Sequence, residues 1–364
     1  MASADLLRLA IVRETTPGVT PANPAFQLLR VTSESLAYTP DTQLSNELNP
    51  ARQVTDVIVT GGQSGGDLAF EVSSNPGFEM LLEGVLANLW DTDQIWVGNK
   101  LLVHTAEKRF TFDEADPVPA NRYEFNRFVR SLVDAMTLTF SPGGPATGSA
   151  TLLGGAMTRD DAALAGATYT EAGKLPVMVG AGVLPVLFTI GAVPYQAWCV
   201  SNLVINFRNN GRAIACLGQD AANEVVLGRF ECEITADVYL AQDTDALMDA
   251  FINREEIQFA VTVADALGNE YDFQFPRVRV SACTQVASGT NQDVIMSLTM
   301  QALVDTMQAG TVPADVDTCV LITRAHVTDP WPDPDVTVPL TALGENGAVL
   351  AEPPQQFAGD EVIR

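Results

Sequence analysis

The stretch Leu240 to Val280 constrains the fold most, because it reads as one compact unit: an acidic strand exit, a short helix and a β-hairpin. Phe259, Val261 and Val263 alternate with smaller or polar residues, Gly268-Asn269 interrupts, and Tyr271, Phe273 and Phe275 resume the period-2 pattern. Gly268-Asn269 supplies the positive φ values that a tight turn needs. Asp243 to Asp245 offer capping oxygens to a helix whose apolar face is Leu247, Met248, Phe251 and Ile252. At about two turns this helix is too short to stand alone and must pack on a sheet. Pro276 removes a backbone donor where the second strand finishes, which predicts an edge or a bulge.

Elsewhere short alternating runs rich in Thr and Val are separated by turn signals, so the chain is predicted to be mainly β with short α-helices. GDLAFEVS (66–73) aligns with GRFECEIT (228–235), pairing Gly66 with Gly228, Leu68 with Phe230, Glu71 with Glu233 and Val72 with Ile234. A helix follows each, with Phe78, Leu81, Leu82 and Val85 in one and Leu247, Met248 and Phe251 in the other. An aromatic strand comes next, with Phe110 and Phe112 or with Tyr271 and Phe273. Three matched elements in one order predict an internal duplication, divided within the glycine- and alanine-rich stretch Gly154 to Pro194. LLRVTSESLAY and WCVSNLVINF lead the two halves as alternating strands.

The segments GRFECEITADVYL and DALGNEYDFQFPRV around the second helix, with SNELNPARQVTDVIVTGGQSGGDLAFEVS, KRFTFD and ATGSATLLGGAM, resemble the tail tube proteins of long-tailed bacteriophages. The matching stretches run from Leu29 to Leu303. The resemblance implies a major tail tube subunit of a long, non-contractile tail, with two tandem tail-tube domains, each sandwich- or barrel-like, whose strands join a ring-wide β-barrel. Single-copy relatives make hexameric rings, so two copies per chain imply a trimer with pseudo-sixfold symmetry. Stacked rings would form a conduit for phage DNA, which passes without specific binding. Tape-measure, tail terminator and distal tail proteins are the other implied partners, in a virion component assembled in the bacterial host cytoplasm. The expected layout is an N-terminal arm (1–28), a first domain (29–170) with a long loop (39–65), a second domain (171–309) and a Pro-rich extension (310–364). The inner tube of a contractile injection device and a head-tail or distal-tail ring are alternatives on the same fold. A β-rich hydrolase and an adhesion module come from other classes.

Forty-five acids against 20 bases give a net charge of −25 and a pI near 4.2, the wrong sign for a free-standing nucleic-acid binder. Glu231, Glu233 and Asp237 alternate with Cys232, Ile234 and Ala236, and Asp67 and Glu71 repeat this more sparsely. Like charges along one strand repel. In a ring these five residues are the candidate lining of the channel. Glu47, Arg52 and Asp56 in the polar stretch Thr39 to Gly65, and Arg277 and Arg279 on one strand face, are candidate contacts between subunits or rings.

Catalysis is not expected. His104 and His326 have no second ligand-type residue at metal spacing and read as solvated loop histidines, so no metal and no cofactor is expected. The run GGQSGG before a strand lacks the Lys-Ser/Thr of a phosphate loop and reads as a hinge. Five cysteines without a CxxC pair read as buried, reduced thiols. No apolar run approaches the ~20 residues of a membrane span, so no membrane partner is expected.

Overall fold

The computed structural model describes residues 3–326 except for 114–115, 119–121, 173–176, 184–185, 191–192, 196–198, 217–221, 223, 242–243, 288 and 307–315. Most of the Pro-rich extension therefore lies outside the described residues. The first half contains β1 (Arg8–Arg13), β2 (Ala25–Leu28), β3 (Val31–Glu34), β4 (Ala37–Leu44), β5 (Val57–Glu71) and helix α1 (Pro76–Leu86). It continues with β6 (Gln94–Trp96), β7 (Val103–Thr111), β8 (Tyr123–Phe140) and β9 (Thr147–Gly154). The short strands β10 (Met157–Asp160) and β11 (Thr168–Thr170) lead to the second half. That half contains β12 (Leu187–Ile190), β13 (Val193–Tyr195), β14 (Val200–Arg208), the hairpin β15 (Arg212–Ile214) and β16 (Glu224–Val226), and β17 (Glu231–Tyr239). Helix α2 (Asp245–Asn253), β18 (Glu256–Ala264), β19 (Glu270–Val286) and β20 (Ile295–Ala302) follow, and then β21 (Asp305–Thr306), β22 (Asp317–Thr318) and β23 (Leu321–Ala325). The fold is thus mainly β, with two short α-helices.

The two halves repeat one ladder order. β1 pairs with β7, β7 with β8, β8 with β9, β9 with β5, and β5 with β3 and β4. In the second half β12 pairs with β18, β18 with β19, β19 with β20, β20 with β17, and β17 with β14. The irregularities coincide as well. Register shifts lie between Val31 and Ser33 and between Val200 and Asn202, then between His104 and Ala106 and between Ile257 and Phe259, and again between Val133 and Ala135 and between Val280 and Ala282. These ladders make Leu68 the counterpart of Ala236, six residues from the Phe230 chosen by sequence alignment. An even slip keeps the same residues on the same face, so alternation alone cannot detect it.

Several local expectations are corrected. The polar stretch 39–65 is mostly hairpin, with β4 pairing along β5 from Ala37–Gly65 to Leu44–Val57. The run GGQSGG lies inside β5, and Gly66 is no hinge: its φ is +149°, and a Cβ there would stand 2.5 Å from the Ser35 carbonyl oxygen. Residues 8–28, within the expected arm, carry β1 and β2, with Leu9 and Ile11 buried. β23 lies within the Pro-rich extension, but it belongs to the body of the fold: it pairs with β19 and β6 and buries Leu321 and Ile322. In α2 the N-cap is Thr244, whose hydroxyl bonds back to the Ala241 carbonyl at 2.7 Å instead of capping the helix. The β18–β19 turn has one positive φ, at Gly268, and is held by the Asp265 carboxylate, which accepts from the Leu267 and Asn269 amides.

The largest apolar cluster runs through both halves, with smaller clusters around Phe26 and around Leu132. α1 packs Phe78 edge-on against Tyr271 of β19, with ring centroids 5.5 Å apart, and Phe140 of β8 meets Phe273. Glu79 of α1 accepts hydrogen bonds from Tyr271 and Arg324, and Arg324 stacks over Trp90. The halves are also joined edge to edge, because β14 pairs with β8 from Leu203–Phe140 to Arg208–Ala135.

Candidate functional site

That junction makes one continuous sheet of β3/β4, β5, β9, β8, β14, β17, β20 and β19. Directly opposed residues trace rows across it. On one face Leu68, Ala150, Met136, Phe207 and Cys232 form a buried row. On the other face the neighbouring row is Asp67, Thr151, Ala135, Arg208 and Glu231. A parallel row there runs Ala69, Ser149, Thr137, Asn206, Glu233, Gln301 and Arg279. Glu71 and Asp237 lie on the same face, so the sheet gathers all five acids singled out by sequence on one hydroxyl- and amide-rich surface.

Most of these acids are held by neighbours. Thr151 donates to Asp67 at 2.6 Å, Ser297 donates to Asp237 at 2.6 Å, and Arg30 lies 3.4 Å from Glu71. Arg229 hydrogen-bonds Glu231 and holds its carboxyl below the usual range. The opposed pairs Asn206–Glu233 and Gln301–Glu233 flank Glu233 with amides. Hydroxyl, amide and guanidinium groups thus fix the positions of these carboxylates on the sheet face.

The candidate contact residues fall in two places. Glu47 and Arg52 lie in the exposed loop between β4 and β5, beside Asp56 at the foot of β5. The hairpin arms below them expose Leu44, Val57 and Val59. Arg277 and Arg279 both bind Glu256 of their own chain, at 2.6 and 2.7 Å, and the Arg277 hydrogen bond holds the Glu256 carboxyl low. The structure does not bring these two groups together within the chain.

Only one of the two histidines is a solvated loop residue: His326 is exposed just beyond β23, whereas His104 is not. His104 is buried on β7, and burial pushes its pKa down to about 4. His326 lies 2.8 Å from both Ser74 Oγ and Glu79 Oε1. Cys232 and Cys319 are buried as expected of structural thiols, whereas Cys199 and Cys216 are exposed. Sequence reasoning missed the buried Glu107–Arg127 pair (2.6 Å), to which Tyr169 and Asp160 add, and the Glu34–Lys108 pair (3.2 Å). The available signal was a charge at strand positions flanked by apolar residues, as in VHTAEKRFTF.

A groove of about 430 Å³ is lined by Phe112, Tyr123, Glu124, Arg159, Asp160 and Asp161, and its Glu124 is bound by Arg159 at 2.6 Å. Among the described residues no group of three or more His, Cys, Asp or Glu could hold a metal ion, and no helix is long and apolar enough to cross a membrane.

The model of the family described as phage tail tube protein matches residues 5–302. The chain belongs to the phage tail tube proteins. The members of this family are structural components of the phage tail. No curated protein sequence matches the chain significantly. Among solved structures, this tail tube protein is similar to a chain in a cryo-EM structure of the anti-feeding prophage baseplate, 6-fold symmetrised. That match has 12% identity and a TM-score of 0.27, and covers 32% of this chain and 85% of that one. A likeness this slight carries no argument.

Proposed function

We propose that this chain is the major tail tube subunit of a long, non-contractile phage tail, and that it stacks as trimeric, pseudo-hexameric rings into a hollow conduit for DNA. The observation that carries this reading is the β14–β8 junction: one half of the chain adds edgewise to the other, so the chain already contains one joint of the kind a ring repeats. With the eight strand elements of the continuous sheet contributed by each chain, three copies would supply one closed barrel from six similar halves. Closure would remove the remaining strand edges, which are otherwise templates for uncontrolled association.

The core and both helices lie against the apolar face, which leaves the acidic face for the channel. A lining that carries Asp67, Glu71, Glu231, Glu233 and Asp237 from each chain would repel the DNA backbone and let it slide. The exposed apolar hairpin at Leu44, Val57 and Val59, with Glu47, Arg52 and Asp56 beyond it, would meet neighbouring subunits or rings. In this reading the halves are two tandem tail-tube domains, and the tube meets tape-measure, terminator and distal tail proteins in a virion assembled in the host cytoplasm.

Negative-stain microscopy with light scattering tests the proposal. Hollow striated tubes without a sheath, or open rings with the mass of three chains, are expected. A chain that stays monomeric at high concentration and does not add to purified tail tips would sink it. The channel assignment fails separately if Lys at Glu231, Glu233 and Asp237 leaves DNA ejection unchanged in tubes that still assemble.

A further inference from the structure

The sheet has two ends, and the internal junction shows how they could be covered. By the shared ladders, β3 and β4 are the counterpart of β14, with Leu36 standing for Ile205 and Ala37 for Asn206. The end of β19 is the counterpart of the end of β8, with Ala282, Thr284 and Val286 standing for Ala135, Thr137 and Thr139. Inside the chain these two elements meet: Asn206 lies opposite Thr137, whose hydroxyl bonds the Asn206 side chain at 2.8 Å. Their counterparts do not meet inside the chain. Among the described residues β3 and β4 pair with β5 alone, Ser281–Val286 pairs with β20 alone, and Ser35, Ala37, Thr39, Ala282, Thr284 and Val286 are exposed.

The backbone of Leu36 tells what the free chain does with this end. The Asn209 amide donates to the Asp134 carbonyl, and antiparallel alternation from there turns the backbone of Ile205 towards β8. The corresponding groups of Leu36 are occupied by side chains instead. Its N–H donates to the Glu34 carboxylate at 2.8 Å, and its carbonyl accepts from Lys108 Nζ at 2.8 Å, while Lys108 and Glu34 pair at 3.2 Å. In the second half the counterparts of Glu34 and Lys108 are Leu203 and Val261, which are apolar and buried beside a paired strand.

We infer that a second copy of this chain adds its Ala282–Val286 to the Ser35–Thr39 edge, in the register Ser35–Val286, Ala37–Thr284 and Thr39–Ala282, and that Glu34 and Lys108 plug this edge until it does. The inference rests on the ring reading above, but it can fail independently. The plug hides the amide and carbonyl of Leu36, one of the outward-facing pairs of this edge, and so keeps the free subunit from templating assembly. Incoming strand groups replace both side chains.

The test is oxidative cross-linking of Ala37→Cys with Thr284→Cys, in full-length chain carrying Cys199→Ser and Cys216→Ser to remove the exposed native thiols. These are directly opposed, non-hydrogen-bonded positions, whose Cα atoms come within about 4.5 Å in an antiparallel pair. In assembled protein a non-reducing gel should show covalent dimer and trimer, with at least tenfold less from the two-residue-shifted pair Ala37→Cys with Ala282→Cys. Equal yields from the two pairs, or tubes that give no cross-link, would overturn the register while leaving the tube reading intact. Cross-linked oligomers in protein that never makes tubes would leave the pairing intact and overturn the tube. The plug has its own readout: Glu34→Leu with Lys108→Val should lower the concentration at which assembly begins severalfold, and an unchanged or raised threshold in a variant with unaltered circular dichroism would refute it.

Discussion

The two halves use one ladder, yet they end differently. Where β14 meets β8, Leu203, Ile205 and Phe207 are buried against Phe140, Leu138 and Met136. The matching strands β3 and β4 carry an ion pair and exposed small residues, and the end of β19 carries Ser281, Ala282, Thr284 and Gln285. The joint inside the chain never has to open, so apolar packing suits it. An edge that waits in water for a partner does better with polar cover, which limits association before its time.

The largest effects should separate a permanent joint from a waiting one. Phe207→Ala should cost about 3–5 kcal/mol in denaturant unfolding, because it opens a cavity in the shared core. Ala37→Asp, on the counterpart strand, should leave the unfolding midpoint of the unassembled chain nearly unchanged and abolish assembly. Equal losses of stability would show that the two edges do not differ in this way.

A buried ion pair is the next difference. Glu107 and Arg127 of the first half correspond to Ala260 and Gln274 of the second. Arg127→Gln alone should cost about 3–5 kcal/mol, since it strands a buried carboxylate. Adding Glu107→Ala, which installs the second half's solution, should recover most of that loss in the same unfolding assay.

The halves also differ at His104, whose counterpart is Ile257. The folded pKa of about 4 lies below the ordinary 6.5, so the unfolded chain takes up this proton first as pH falls. Stability is therefore full above pH 6.5 and declines towards pH 4, by about 3 kcal/mol at most from this group. His104→Ile should flatten that part of the stability–pH curve, and an unchanged slope would assign it to other groups. Smallest is the helix end: α2 stops at Arg254 with a φ of +59°, and Arg254→Gly should raise stability by about 1 kcal/mol.

Much of the fold was legible because it is written in local periods. Alternation at Phe259 to Val263 and Tyr271 to Phe275 marked β18 and β19, Pro276 marked a bulge that the ladder contains, and the acids of β17 announced their common face. The plug was not legible. Glu34 and Lys108 are far apart in sequence, and each alone looks like an ordinary strand charge. The hairpin 37–65 was hidden by its glycines and polar residues, which in a loop signal freedom but here let β4 and Ser35 pass close to β5.

By itself, then, the sequence determined the β-rich class, the short helices, the acidic alternation and the family, since each depends on near neighbours or on the wording of a motif. Only the tertiary structure decided which strands lie side by side, that Leu68 answers to Ala236, and that Leu36 is capped by a carboxylate and an ammonium group. Those outcomes depend on how the apolar faces of the two halves pack together and on satisfying the backbone groups at the sheet's edges, and a period of two, which any even slip leaves intact, carries no information about either.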